Sequence, residues 1–343
     1  MIKKLFIVCA AFVWTIALVA QNISVVNSSG NTKLYRTLQA AIEGADPNSV
    51  IYLPGGGFPI ADSVKITKKL TIIGIGHKSK NDNVDGNTTI SGNLFFNHGS
   101  DGSALIGCYV TGRIHIAQDG PVDDMMVKCC SLGFGIDVSN PNCKGTVISQ
   151  NYIRDYVNST IAVHLGGSEA TIKNNVIRFG ASNSDACCIG GLGSGEISNN
   201  ILYNSYYYSR AGGPYYGAYT FSNITTAVVR GNILINKPNG SGTMQISGNM
   251  CLNEDWGDDP INIEANSWDE VFVNFNSGNA DPASDFHFKD EYKQYENQVG
   301  IYAGDGFNDN QTAPVPYIVA KKIDEQTDAS GKLNIKIRVK AGE

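Results

Sequence analysis

The sequence has few charged residues and no concentration of basic ones. Charged residues make up 17% of the 343, and 26 Lys and Arg stand against 32 Asp and Glu, a formal net charge of −6. Proteins that bind nucleic acid or anionic membranes need a concentrated basic surface, because phosphate groups supply much of the binding energy. The composition therefore argues against both kinds of partner.

Long apolar runs are absent after residue 20, and the run before it has the form of a secretion signal. Lys3 and Lys4 precede an apolar stretch, residues 5–19, of the length typical of a signal-peptide core. No later stretch approaches the roughly 18 apolar residues of a membrane span. We therefore expect residues 1–20 to be a signal peptide and the protein to be periplasmic, cell-surface or extracellular.

The cysteines lack metal-binding spacing. Seven cysteines follow residue 20, none of them in a Cys-x-x-Cys motif, and an odd number does not fit a complete disulfide framework. One interpretation is that they are buried thiols stacked in a core, where Cys behaves as a small hydrophobe. The other is a single disulfide, for which Cys129 and Cys143 are the candidates.

A short repeated phrase fills the middle of the chain. The pattern apolar-x-x-Asn-x-apolar recurs at Asn151, Asn175, Asn200, Asn232 and Asn249, with steps of 24, 25, 32 and 17 residues. Strand-like units with a period in the low twenties predict a β-solenoid, in which each unit buries its apolar face only by stacking on its neighbours. The asparagine of each turn is expected to stack on that of the next rung. The 38 glycines suit the frequent turns of such a fold.

The N-terminal part supplies a cap and a family resemblance. Residues 35–42 have helical spacing with Thr37 as N-cap, which predicts a short helix covering the first rung. The phrases Tyr-x-Thr-Leu-Gln-x-Ala-Ile at 35–42, Ile-Tyr-Leu-Pro-Gly at 51–55 and Leu-Thr-Ile-Ile-Gly-x-Gly at 70–76 resemble the opening of pectin-lyase-like right-handed parallel β-helix proteins. The Asp-Phe-His-Phe phrase at 285–288, followed by Gly-Ile-Tyr at 300–302, is similar to the closing segment of exported Bacteroidetes members.

The resemblance implies an all-β fold, a right-handed single-stranded parallel β-helix with a short N-terminal capping helix and a β-rich C-terminal extension. We place the signal peptide at 1–20, the β-helix with its cap at 21–280 and the closing segment with its β extension at 281–343. The last strand, near 333–340, alternates apolar and basic residues as a half-buried strand does.

The sequence lacks the motifs that accompany the known hydrolase and esterase activities of the superfamily. The sequence has no phrase expected of polygalacturonases or pectin methylesterases, and no Gly-x-Ser-x-Gly elbow. Lyases of the superfamily need an acidic calcium cluster, and Asp255, Asp258 and Asp259 are the candidates, with a solvated turn as the alternative. His115 and His164 alternate with apolar residues and are interpreted as outward-facing surface residues.

The longest step of the repeat contains the strongest candidate for ligand binding. Seven tyrosines lie in the seventeen residues 203–219, around a Gly-Gly-Pro sequence. Aromatic faces stack on sugar rings while phenol hydroxyls reach sugar hydroxyls, although such tyrosines also pack over a solenoid as an ordered loop. The candidate substrate-binding residues are Tyr206, Tyr207, Tyr208, Arg210, Tyr215 and Tyr216.

Function is less determined than fold, because this fold carries both enzymes and inert scaffolds. We expect a monomeric exported protein that engages extracellular polysaccharide or a cell-surface glycan, with no required cofactor and Ca²⁺ as an optional one. One alternative is a polysaccharide lyase or glycoside hydrolase that acts on acidic polysaccharide. The other is a structural or adhesive surface module without catalysis.

Overall fold

The computed structural model describes most of the chain after the predicted signal peptide. The described residues are 22–76, 86–155, 161–179, 187–204, 208–210, 213–215, 219–235, 240–275, 284–307, 317–323, 330–332 and 335–340.

The first elements form the predicted cap. Strands β1 (Ile23–Val26) and β2 (Thr32–Tyr35) pair antiparallel, and helix α1 (Leu38–Gly44) follows. The Thr37 side chain accepts a hydrogen bond from the Ala40 N–H, and Leu38, Ala41 and Ile42 are buried. This Thr37 cap and this apolar face confirm the helix predicted from spacing, which covers the start of the solenoid core.

The body of the protein is a parallel β-helix with three faces, which confirms the predicted all-β fold class. Face I contains β3 (Ser49–Tyr52), β5 (Leu70–Ile73), β8 (Ala104–Ile106), β11 (Met126–Lys128), β14 (Thr146–Ser149), β17 (Glu169–Lys173), β20 (Ser194–Ser198), the C-terminal part of β24 (Tyr219–Arg230) and β26 (Gly240–Ser247). Face II contains β4 (Gly56–Pro59), β6 (Thr88–Ser91), β9 (Tyr109–Val110), β12 (Ser131–Leu132), β15 (Tyr152–Asp155), β18 (Val176–Phe179), β21 (Ile201–Asn204), β25 (Ile233–Ile235), β27 (Met250–Leu252) and β28 (Ile261–Ile263). Face III contains β7 (Leu94–Phe96), β10 (Ile114–Ile116), β13 (Ile136–Val138), β16 (Ile161–His164), β19 (Cys187–Gly190) and the N-terminal part of β24.

The repeat asparagines form a continuous ladder inside the turns between face I and face II. We call Asn151, Asn175, Asn200, Asn232 and Asn249 the asparagine ladder. Each of its first four members donates from Nδ2 to Oδ1 of the next, at 2.9 to 3.0 Å, and all five are fully buried. The same oxygens accept backbone N–H groups of the preceding rung, so the ladder satisfies turn groups that water cannot reach. This confirms the stacking predicted from the repeat.

Cysteines extend the same ladder toward the N-terminus. The Cys130 N–H donates to Asn151 Oδ1 at 2.8 Å, and Cys108 lies one rung further along. All seven cysteines from Cys108 to Cys251 are free and buried, which confirms the buried-thiol interpretation; Cys129 and Cys143 are not joined.

Burial makes these thiols unreactive, which gives a direct prediction. Desolvation raises the pKa of Cys130, of Cys187 and of Cys251 to about 12 each. Because the thiolate is the reacting species, we expect Ellman's reagent at pH 8 to modify none of these seven cysteines in the native protein and all of them in guanidinium. Rapid labelling of one or more in the native state would contradict the burial described here.

A C-terminal covering segment, residues 268–275 and 284–307, lies against the outer side of face II. It contains α2 (Trp268–Val271), β29 (Phe272–Asn274), β30 (Asp285–Phe288) and the 3₁₀-helix Asp290–Tyr295, and β29 pairs antiparallel with β30. That pairing crosses the domain boundary drawn at residue 280. Its aromatic side chains bury the outward residues of face II, of which Tyr152, Val176, Ile201 and Ile233 are at most 2% exposed.

Polar contacts fix the end of the covering segment to the solenoid. The Asn174 side chain donates to the carbonyls of Ile301 and Ala303, and the Gln150 side chain donates to that of Gly306. The Gly300 N–H donates to the Gly231 carbonyl at 2.7 Å. The covering segment is therefore joined to several successive rungs.

Two further antiparallel pairs complete the described elements. Strands β22 (Tyr208–Arg210) and β23 (Gly213–Tyr215) form a hairpin, as do β31 (Tyr317–Ile323) and β32 (Ile335–Lys340). In the part of the chain that the structure describes, no helix is long and apolar enough to cross a membrane.

Candidate functional site

Face III presents a column of outward side chains that occupy one register position on its successive strands. The register places Phe95, His115, Asp137 and His164 side by side on successive rungs, and Gly190 and Ser222 follow. Their strand neighbours are apolar and buried, such as Ile114 and Ile116 beside His115. Alternation along each strand, with parallel pairing between rungs, thus lines up side chains that are far apart in sequence.

Three members of this column form a hydrogen-bonded group that we call the polar column: His115, Asp137 and His164. His164 Nδ1 lies 2.7 Å from Asp137 Oδ1, and His115 Nδ1 lies 3.5 Å from Asp137 Oδ2. Ser139 Oγ also donates to Oδ2, at 3.0 Å. The carboxylate therefore bonds His164 and Ser139 closely, and His115 lies beside it at a longer distance.

The group is held firmly at its His115 end. The His115 ring stacks on Phe95, with centroids 4.8 Å apart and planes 9° apart, and the Lys65 ammonium lies 3.1 Å from the centre of the Phe95 ring. Gln118 Nε2 lies 3.3 Å from His115 Nδ1. The Lys65 cation thus lies on the Phe95 ring, and the Phe95 ring stacks on the His115 imidazole. These two contacts fix His115 and leave the rest of the column uncovered.

Exposure rises along the polar column from His115 to His164. The exposed fractions of the side chains are 19% for His115, 24% for Asp137 and 37% for His164. A Cβ placed on Gly191 would lie 3.4 Å from Nε2 of His164, so the turn at Gly191 runs beside the edge of that ring. The accessible end of the column is therefore His164.

Electrostatics in the column favour the charged carboxylate. Hydrogen bonds from His115 and His164 hold the pKa of the Asp137 carboxyl far below its usual range. Because the folded pKa is lowered, this pairing stabilises the fold above about pH 4, where an unfolded carboxyl is ionised, and the stabilisation is lost as pH falls further.

The lowered pKa of Asp137 gives a prediction for the stability of Asp137→Asn. At pH 7 the substitution should lower the free energy of unfolding by about 1–2 kcal/mol, a value reduced for the partial exposure of the group. The deficit relative to wild type should shrink progressively as pH is lowered below about 4 in urea titrations. Asp305→Asn, which removes an exposed partner of Lys173, is the control and should have no measurable effect. A deficit for Asp137→Asn that does not change with pH would contradict the charge pairing.

The other candidates predicted from the sequence lie elsewhere. Strands β22 and β23 pair Tyr208 with Tyr215 and Arg210 with Gly213 along their backbones. Tyr206, Tyr207 and Tyr216 lie outside the described residues. The basic residues of the repeat do not share one face, since Arg154 and Arg178 are on face II whereas Lys173 and Arg230 are on face I.

The three candidate calcium ligands are exposed near the C-terminal end of the solenoid. Asp255 accepts a hydrogen bond from Asn262 at 3.1 Å, and the Asp258 backbone bridges to Ser247. Within the described ranges, no three side chains of His, Cys, Asp or Glu are grouped so that they could hold a metal ion. The calcium site at Asp255, Asp258 and Asp259 stays a prediction.

Sequence reasoning placed His115 and His164 correctly on the surface but missed their shared partner. Ile136-Asp137-Val138 repeats the alternation of Ile114-His115-Ile116, so the signal was present. This alternation identifies Asp137 as the shared partner only when the register of the face III strands is known.

Fold and site together define a parallel β-helix protein with a polar column on one face. Comparison with known proteins adds no relative: no family model, no curated protein and no solved structure matches the chain.

Proposed function

We propose that this protein binds an extracellular polysaccharide or cell-surface glycan along face III, with His115, Asp137 and His164 as its polar contacts. The observation that carries the proposal is the in-register polar column on an otherwise apolar set of strands. Imidazole and carboxylate groups exchange hydrogen bonds with sugar hydroxyls, and successive rungs about 4.8 Å apart repeat such contacts along an extended ligand.

Chain connectivity supports a contribution from the tyrosine-rich residues 203–219, which we call the tyrosine-rich insertion. The insertion leads from β21 directly into β24, in which Tyr219 pairs with Cys187 and Ser222 pairs with Gly190. Ser222 belongs to the same outward column as His164, so the insertion joins face III at the more exposed end of the polar column. In this proposal the side chains of the insertion extend the binding surface by stacking on sugar rings. They are Tyr206, Tyr207, Tyr208, Arg210, Tyr215 and Tyr216.

The wider assignment is also part of the proposal. The capping helix, the asparagine ladder and the covering segment support membership of the pectin-lyase-like superfamily in a form resembling exported Bacteroidetes proteins. The apolar run at residues 5–19 supports export to the periplasm, cell surface or medium. We propose that the protein acts as a monomer.

A glycan array followed by calorimetry on each positive glycan tests the binding function. The double variant His115→Ala/His164→Ala should weaken binding about tenfold or more, because two or more hydrogen bonds are lost. His98→Ala, which removes an exposed loop imidazole, is the matched control and should bind as wild type. Equal affinities for the wild type and the double variant would exclude face III as the site, and an array without any positive glycan would exclude the function.

A further inference from the structure

Asp137 and His164 have the geometry of a base and its orienting group. Asp137 Oδ1 lies 2.7 Å from Nδ1 of His164 and so places the proton on that nitrogen, which leaves Nε2 with a free lone pair. Nε2 belongs to the most exposed side chain of the polar column. A neutral imidazole held in one tautomer beside a carboxylate accepts and returns protons near neutral pH.

The rest of the column limits which reaction this pair can serve. Hydrolysis of a glycosidic bond normally uses two carboxylates about 5–10 Å apart. Among the described residues of the outward column on face III, Asp137 is the one carboxylate, and both its oxygens already accept hydrogen bonds, from His164 and Ser139. Hydrolysis of an ester needs only one base that activates water, because the acyl carbonyl is itself electrophilic.

We infer that His164, positioned by Asp137, is the catalytic base of an esterase activity that removes acyl groups from the glycan bound on face III. The inference rests on the proposed binding function and adds a reaction and a substrate class, O-acylated sugars. His115, which is stacked on Phe95 and directed at the same carboxylate, holds Asp137 in place as a second positioning residue.

The reaction balances with water as the co-reactant. His164 Nε2 removes a proton from water as the water oxygen attacks the acyl carbonyl carbon, which gives a tetrahedral intermediate and an imidazolium. The intermediate then breaks its bond to the sugar oxygen, and that oxygen takes the proton from Nε2. The products are a carboxylic acid and a free sugar hydroxyl, and the imidazole is regenerated.

The test measures ester hydrolysis by the full chain with p-nitrophenyl acetate and with chemically acetylated forms of the glycans that bind. His164→Gln should lower kcat/KM by about 100-fold or more, the range found when a general base is removed. His98→Gln should leave it unchanged.

Asp137→Asn separates positioning from a structural role. Loss of the carboxylate should lower kcat about tenfold with a smaller change in KM, because the imidazole is no longer held in the productive tautomer and orientation. A variant that is only less stable would keep the wild-type kcat per folded molecule.

The outcomes distinguish this inference from the binding function. Glycan binding in calorimetry without ester hydrolysis above the His164→Gln background would overturn the esterase and leave the binding function intact. Hydrolysis retained in His164→Gln would overturn the assignment of the base. Absence of both binding and hydrolysis would overturn both proposals.

Discussion

Replacing Asn200 with alanine should lower the free energy of unfolding by about 4 kcal/mol, because several buried groups lose their partners together. In the native ladder Asn200 Nδ2 donates to Ile172 O, Ser198 O and Asn232 Oδ1, all at 2.9 Å. Its Oδ1 accepts from the backbone N–H and the side chain of Asn175. Alanine leaves these groups unpaired where water cannot replace the lost bonds, since the site is fully buried.

Urea unfolding followed by circular dichroism measures this loss. Asn249→Ala, at the last rung of the ladder, should cost less, since its Nδ2 donates to two carbonyls and to no further asparagine of the ladder. Asn142→Ala in an exposed turn is the matched control and should change stability by less than about 0.5 kcal/mol. A loss below about 1 kcal/mol for Asn200→Ala would show that the ladder does not stabilise the turns as described.

Replacing Phe272 with alanine should cost about 3–5 kcal/mol, the usual range for loss of a fully buried phenylalanine. Phe272 is fully buried and contacts the rings of Trp268, Phe286 and Phe288, with centroids 5.3 to 5.6 Å away. It is thus the centre of the aromatic cluster that attaches the covering segment to face II. A cavity at this position should loosen the whole covering segment from the solenoid.

Hydrogen exchange distinguishes local detachment from general destabilisation. In Phe272→Ala, exchange should accelerate first at amides of β30 and at Gly300, whereas amides of the asparagine ladder should remain protected. Val273→Ala removes the next side chain of the same strand, which is 51% exposed, and should have little effect. Uniform acceleration along the chain would contradict a separately attached covering segment.

Local features of the fold were predictable because they depend on spacing within one rung. The helix cap at Thr37 follows from a Thr placed before an apolar stripe, and the asparagine ladder follows from a repeated phrase whose period sets the rung. The buried thiols of Cys108 and Cys130 follow from their occupation of the same repeat position. Each of these interpretations needs only the identity of neighbouring residues.

Features that depend on contacts between distant parts of the chain were not predictable in the same way. The grouping of His115, Asp137 and His164 requires the register of three rungs of unequal length, and one residue of slip would turn each side chain to the other side of its strand. Arg178 is only 7% exposed on face II, and the segment that covers this face begins about ninety residues later in the chain.

The central claim, that the polar column of face III is the glycan site, is tested most directly by nitrogen-15 NMR of the histidine side chains. The spectra are recorded while the glycan with the highest measured affinity is added to the protein. The imidazole resonances of His164 and His115 should shift with saturation at the calorimetric affinity, and those of His98 and His287 should stay in place. Saturable binding that leaves the His164 and His115 resonances unchanged would contradict the assignment of face III.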